Sequence, residues 1–171
     1  NAGRWSEIRK LHVPEEDVEA AVLEIFNGFS ITDYLDIGTG TGRLLELMGP
    51  GVEHATGVDL SHEMLNMARS ALEKSGLENC QARLGDMYDL PFEATSQDAV
   101  TLHQVLHYAD DPAAVIAEAA RVMRSTGRLV VIDFASHEEE SLRQDHAHRR
   151  LGFDDADIAA WFNQSDLQFD A

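Results

Sequence analysis

Cysteine is nearly absent from this chain: Cys80 stands alone. A lone thiol excludes an internal disulfide and fits a reducing, cytoplasmic setting. Basic residues are scarce as well, with 13 Lys and Arg against 31 Asp and Glu and a formal net charge of −18. That balance speaks against this domain gripping nucleic acid, because phosphate binding needs a basic surface. Lys10 and Lys74 are the only lysines, and the acidic excess reads as a solvated surface rather than a dock for a cationic partner. No apolar run is long enough to span a bilayer, so no membrane association is expected. Repeats, low-complexity linkers and a signal peptide are missing too. The chain opens at Asn1 without a start methionine and stops at Gln168-Phe-Asp-Ala171, where another strand could begin. These ends read as those of a truncated domain.

What is present is a long alternation of strand-like and helix-like segments. Helical periodicity follows Val13-Pro14, with Val18, Ala21, Val22, Ile25 and Phe26 expected on one face. Strands are expected at Tyr34–Ile37, His54–Asp59, Cys80–Leu84, Asp98–Leu102 and Gly127–Phe134. Between them Ser61 reads as the N-cap of a helix carrying Leu65, Ala68, Ala71 and Leu72 and ending near Gly76. Asp111-Pro112 caps a helix with Val115, Ile116, Ala119, Val122 and Met123 inward. A charged helical stretch from Glu138 to Arg150 follows, then a helix capped by Asp154 with Ile158, Trp161 and Phe162.

Such alternation predicts a three-layer α/β fold, a Rossmann-like doubly wound parallel sheet with right-handed crossovers. One domain spans residues 1–171: an N-terminal lid over 1–30, a cofactor-binding core over 31–135, and C-terminal helices over 136–171. Trp5 would close over the ligand as part of the lid.

The most specific signal is Asp33-Tyr-Leu-Asp-Ile-Gly-Thr-Gly-Thr-Gly42. Gly38, Gly40 and Gly42 allow a sharp strand-to-helix turn and close backbone approach to a ligand. Asp36, just ahead of them, carries the discriminating charge. A pyrophosphate near this turn would be repelled, whereas an ammonium and a sulfonium would be attracted. S-adenosylmethionine carries both. Further acids end the next strands, where ligands bind in open α/β sheets. Asp59 can accept from both ribose hydroxyls, and Gly85-Asp86-Met87 offers an acid for the adenine amino group and a thioether for its ring. Singly, Asp59 and Asp86 could be mere caps and Met87 core filler; the ordered set of acids is what carries weight. His103 and Asp133 end the fourth and fifth strands.

These segments resemble class I S-adenosylmethionine-dependent methyltransferases, particularly those like the quinone-biosynthesis C-methyltransferases. The resemblance covers Asp33 to Phe134 and rests on Leu35–Gly42, Gly57-Val-Asp-Leu-Ser61, Gly85-Asp-Met87, Leu90-Pro-Phe92 and Asp98–His107. It implies a sheet in the order 3-2-1-4-5, with two further strands of the usual fold missing from the C-terminus. By this likeness Asp36, Gly38, Thr39, Gly40 and Gly42 hold the methionine moiety, and Asp59, Leu60 and Met64 surround the ribose and adenine. Gly85, Asp86 and Met87 complete the adenine side, and His103 faces the cofactor. Two departures are visible: Ser125-Thr126-Gly127 replaces the usual Pro-Gly-Gly, and Gln97 stands where a phenylalanine is expected.

The expected activity is methyl transfer to a small-molecule acceptor, with His103 as first and Asp133 as second candidate for a catalytic base. Imidazole suits that task, with an ordinary pKa of about 6.5. A narrower likeness covers Ala2–Arg9, Asp133–His137 and His146–Phe153, which look like the methyltransferase domain fused behind an ArsR-type winged-helix repressor. It implies an upstream winged-helix domain in the full protein and an alternative role, a regulatory module that binds S-adenosylmethionine without turnover. An NAD-dependent oxidoreductase is disfavoured by Asp36 and by a glycine spacing one residue short of the dinucleotide fingerprint. One cysteine cannot supply the thiols that arsenite capture would want. His103, His107, His137, His146 and His148 show no compact metal-ligand spacing, so no metal is expected. An open edge beyond the fifth strand would invite pairing into a homodimer.

Overall fold

The computed structural model describes residues 15–133 and 155–168. Five parallel strands form one sheet in the order β3-β2-β1-β4-β5. They are β1 (Asp33–Ile37), β2 (His54–Asp59), β3 (Cys80–Leu84), β4 (Gln97–His103) and β5 (Met123–Ile132). The helices are α1 (Glu15–Ile25), α2 (Arg43–Met48), α3 (His62–Lys74), α4 (Pro112–Val122) and α5 (Asp155–Gln164). Order reverses between β1 and β4, which opens a crevice at their carboxyl ends.

Two apolar layers cover the sheet, and side-chain alternation along each strand assigns residues to one or the other. Tyr34 and Ala99 pack with Val22, Leu45, Leu65, Ala68 and Leu72 of α1, α2 and α3, and with Phe26 just past α1. Leu35, Ile37, Val100 and Leu102 pack with Val115, Ile116, Ala119 and Val122 of α4, and with Phe162 of α5. Asp36 therefore points to the same side as Tyr34, beneath the turn that follows β1.

Local chemistry starts the helices where the sequence says it should. Ser61 Oγ accepts from the Met64 amide at 3.2 Å, and Asp111 Oδ1 accepts from the Ala114 amide at 3.2 Å with Pro112 in the first turn. Both caps satisfy amides that lack helical partners. Gly76, at φ 66°, supplies the left-handed residue that ends α3.

Two expectations need correction. Ala21 and Ile25 are exposed, because α1 docks through Val18 and Val22, with Phe26 just beyond its end, a narrower stripe than the periodicity suggested. β5 begins at Met123, earlier than Gly127: Gln97 pairs with Met123 and Ala99 with Arg128, so the expected turn is an excursion of Arg124 to Gly127 opposite Asp98. Gly127 is required there, since a Cβ would lie 2.9 Å from the Arg124 carbonyl oxygen. Trp5, Pro14, Phe134, His137, His146, His148, Asp154, the Glu138–Arg150 stretch and the ends quoted for the narrower likeness lie outside the described residues.

Candidate active site

Asp36 anchors the site from below. It is 3% exposed, and both carboxylate oxygens are engaged: Oδ1 accepts from the Thr101 hydroxyl at 2.6 Å and Oδ2 from the Thr39 hydroxyl at 2.8 Å. The Tyr34 hydroxyl lies 2.6 Å from the same Thr101 oxygen. Parallel register sets Asp36 beside Thr101, which brings the hydroxyl into reach. Burial pushes the Asp36 carboxyl up from 3.8 to about 6, against the pull of Thr101 and Thr39, and the Asp59 charge adds to the rise. A negative charge is thus held under the glycine turn at a cost that an arriving cation would relieve.

The glycines divide their work. Gly38, Gly40 and Gly42 all have left-handed backbones, with φ of 71°, 56° and 85°. A Cβ on Gly38 would meet Val105 Cγ2 at 2.6 Å, and one on Gly42 would meet Ala68 Cβ at 3.1 Å, so both are also demanded by packing. Gly40 differs, because nothing lies within 4 Å of the Cβ it lacks. Open space over Gly40 is the cradle of the site.

Asp59 ties that cradle to the next helix. Its Oδ2 accepts from the Gly40 amide at 2.9 Å and its Oδ1 from the Ser61 amide at 3.0 Å. Each carboxylate oxygen has a second lone pair, so acceptors remain for a ligand diol. Asp86 Oδ1 accepts from the Tyr88 amide at 2.9 Å in the turn after β3. Gly85 precedes it in a tight place, its missing Cβ 2.9 Å from Val58 Cβ. Leu60 and Met64, expected beside the adenosine, are 63% and 41% exposed, apolar surface that a flat ligand could cover. Met87 packs against the core of Val58, Leu90 and Leu106, so core filling is part of its work.

His103 ends β4, half-buried at the mouth of the crevice. Across from it stands Glu19 of α1, which the sequence did not single out. Arg43, the first residue of α2, grips Glu19 through Nε at 2.5 Å and Nη2 at 3.0 Å. Arg43 holds the Glu19 carboxyl below its ordinary range, opposed by burial, with a smaller pull from His103. α1 is thereby fastened to the helix that leaves the glycine turn.

Asp133 is placed differently from the expectation. Its Oδ1 lies 2.8 Å from His107 Nδ1, and both side chains are only 2% exposed. That burial sets Asp133 apart from His103, which is half-buried at the end of β4. Thr101 was missed as well, and His107 was weighed only as a metal ligand. A hydroxyl in the otherwise apolar Ala99–Leu102 run was the available signal for Thr101.

An acid-lined glycine turn at the switch point of a doubly wound sheet defines a nucleoside-binding α/β domain. A family model described as "Methyltransferase domain" matches residues 35–131, and the chain belongs to that family. It is 33% identical over 108 residues to the uncharacterized methyltransferase YcgJ of Bacillus subtilis, covering 63% of this chain and 43% of that protein. Demethylmenaquinone methyltransferase of Listeria welshimeri is 32% identical over 128 residues, covering 72% of this chain and 52% of that one. The chain thus spans about half the length of the curated relatives it matches.

In three dimensions the crystal structure of Bacillus subtilis YcgJ superposes with a TM-score of 0.79 at 26% identity, covering 88% of this chain and 68% of that one. Phosphoethanolamine N-methyltransferase 2 of Haemonchus contortus, solved in complex with S-adenosyl-L-methionine, shares the fold with a TM-score of 0.76 at 20% identity, covering 87% of this chain and 36% of that one. No described helix is long and apolar enough to cross a membrane.

Proposed function

We propose that this domain binds S-adenosylmethionine at the carboxyl ends of β1, β2 and β3 and transfers its methyl group to a small-molecule acceptor. The observation that carries this reading is the charge of Asp36, buried beneath the glycine turn, with Asp59 on the Gly40 amide at the neighbouring strand end and open space where a Gly40 Cβ would stand. The family membership supports it, as does a protein of the same fold solved with this cofactor. When bound, the cofactor supplies a methyl group on a positively charged sulfur. Asp36 provides the complementary charge beneath the turn, Asp59 accepts from the ribose hydroxyls, and Asp86 accepts from the adenine amino group. Leu60 and Met64 shield the adenosine from water.

The protein's share of catalysis is then alignment of acceptor with methyl and exclusion of water. A base is needed only where the acceptor must lose a proton, and His103 is positioned for that. Calorimetric titration with S-adenosylmethionine, S-adenosylhomocysteine and NAD tests the cofactor: the first two bind and NAD does not. Response to NAD alone would sink the reading. Assay of S-adenosylhomocysteine formation across candidate acceptors then separates an enzyme from a regulatory module that binds without turnover.

A further inference from the structure

The segment from His103 to Tyr108 is pinned at both sides. On the cofactor side Val105 packs against Gly38 so closely that a Cβ there would lie 2.6 Å from Val105 Cγ2. On the other side the Gln104 amide donates to the Ile132 carbonyl of β5 at 2.6 Å, with Gln104 in a left-handed backbone at φ 56°. A non-glycine residue keeps that conformation only where its surroundings enforce it, and such positions cluster at functional sites. Leu106 is buried beneath, and Leu106–Tyr108 close a single tight helical turn. His107 then reaches Asp133, just past the end of β5, through the 2.8 Å contact between two side chains that water barely touches. The Tyr108 ring leans on the His107 ring at 4.1 Å between centroids, yet Tyr108 itself is 49% exposed.

We propose that His107 and Asp133 are positioning residues for the transfer reaction, holding residues 103–108 as a rigid acceptor wall with His103 at one end and Tyr108 at the other. The proposal rests on the methyl-transfer reading above. Its physical content is that a buried hydrogen-bonded pair between the turn after β4 and the residue after β5 fixes the segment by which the chain leaves β4. His103 then meets an acceptor from the same surface that presents the Tyr108 ring. Burial first, and the Asp133 charge second, push the Tyr108 hydroxyl above its ordinary range, so the phenol stays protonated and able to donate.

Asp133→Asn in the full chain is the informative variant, because it leaves an oxygen for His107 and removes the charge. Tyrosinate absorbance is followed against pH, with Tyr108→Phe subtracted to isolate the residue. Asp133→Asn is expected to lower the Tyr108 midpoint, since the Asp133 charge is one of the two causes that hold it up. Asp110→Asn, at an exposed residue two positions further on, should shift it less. Amides of residues 105–108 should exchange about tenfold faster in Asp133→Ala; where that variant does not fold, Asp133→Asn carries the test.

Affinity for S-adenosylhomocysteine should stay within about twofold of the wild type. In assays with any accepted substrate, Asp133→Asn should lower kcat and leave the KM for S-adenosylmethionine unchanged. An unmoved Tyr108 midpoint, an equal shift from Asp110→Asn, or parallel losses in kcat and cofactor KM would each overturn the positioning role. Failure of the wild type to bind S-adenosylhomocysteine would instead remove the methyl-transfer reading, leaving the Tyr108 and exchange measurements to report on the wall itself.

Discussion

The two ends of the same five strands treat acidic residues in opposite ways. At the amino ends Asp33 and Asp98 share one guanidinium, with Arg124 reaching Asp33 at 3.0 Å and Asp98 at 2.8 Å. Asp98 also accepts from the Thr32 and Asp33 amides, both at 2.9 Å. At the carboxyl ends Asp36, Asp59 and Asp86 receive hydrogen bonds from hydroxyls and backbone amides, none of which cancels their charge. The left-handed residues Gly38, Gly40, Gly42 and Gln104 gather at this end too. One end uses its acids to close the fold; the other keeps its charge in reserve. A carboxylate held by neutral donors is stabilised further by any cation that arrives, and in that respect the carboxyl end suits a cationic ligand.

The sharpest way to break this comparison is Asp36→Asn. Burial lifts the Asp36 carboxyl from 3.8 to about 6, so keeping it ionised in the folded state costs on the order of 3 kcal/mol at neutral pH. The sign follows from proton uptake. Between those two values the folded state holds the proton more tightly than the unfolded one, so wild-type stability falls as pH rises through the window and is level above it. Asp36→Asn should therefore resist urea better than the wild type at about pH 8, with the advantage fading below about pH 5. Cofactor affinity should move the other way, weaker in the variant at all pH values and weaker in the wild type as Asp36 takes up its proton. A variant that is destabilised at high pH and binds normally would show that Asp36 serves the Thr39 and Thr101 hydroxyls and nothing else.

Much of this division could be read from the sequence, because it is written in local chemistry. Strand limits at His54–Asp59 and Cys80–Leu84 and the caps Ser61 and Asp111 depend on neighbours within a few residues. The acids expected to form the site could be placed for the same reason, each standing at or just beyond a strand end. What could not be read depends on pairs far apart in sequence. His107 meets Asp133 only because β4 and β5 are adjacent and the turn after β4 folds back over β5. Glu19 meets Arg43 only because α1 docks beside the glycine turn. Ile25 is apolar at helical spacing and yet exposed, since periodicity gives a face but not how much of it is covered.

Asp59→Ala sharpens the comparison from the ligand's side. It removes both acceptors for the ribose and releases the Gly40 and Ser61 amides that Asp59 now holds. Cofactor affinity should fall by about 1.5–3 kcal/mol, the range for hydrogen bonds to a charged group. Calorimetry with S-adenosylhomocysteine measures it, and unchanged affinity would leave Asp59 a cap for α3. His103→Ala comes next. Turnover should fall by roughly a hundredfold with an acceptor that must lose a proton, while cofactor affinity changes less. Equal losses in both would mark His103 as a cofactor contact, and no loss in either would mean that alignment alone accounts for the rate.

Arg124→Gln probes the opposite end and should produce the smallest effect. Burial works against the Asp98 charge, but hydrogen bonds from the Asp33 amide, from Arg124 and from the Thr32 amide outweigh it and hold the carboxyl below its ordinary range. A carboxyl held low contributes stability above its unfolded pKa, and the contribution is lost as pH falls through the folded value. Removing Arg124 takes away one of those supports and leaves the two amide bonds in place. Because the guanidinium lies at the surface, water and salt already screen the pair. The melting temperature should drop slightly at neutral pH, by less in high salt, and the difference from wild type should close on acidification. Affinity for S-adenosylhomocysteine should not change, since the full length of the strands separates Arg124 from Gly40. A loss of affinity matching that of Asp59→Ala would show the two ends to be coupled through the strands between them.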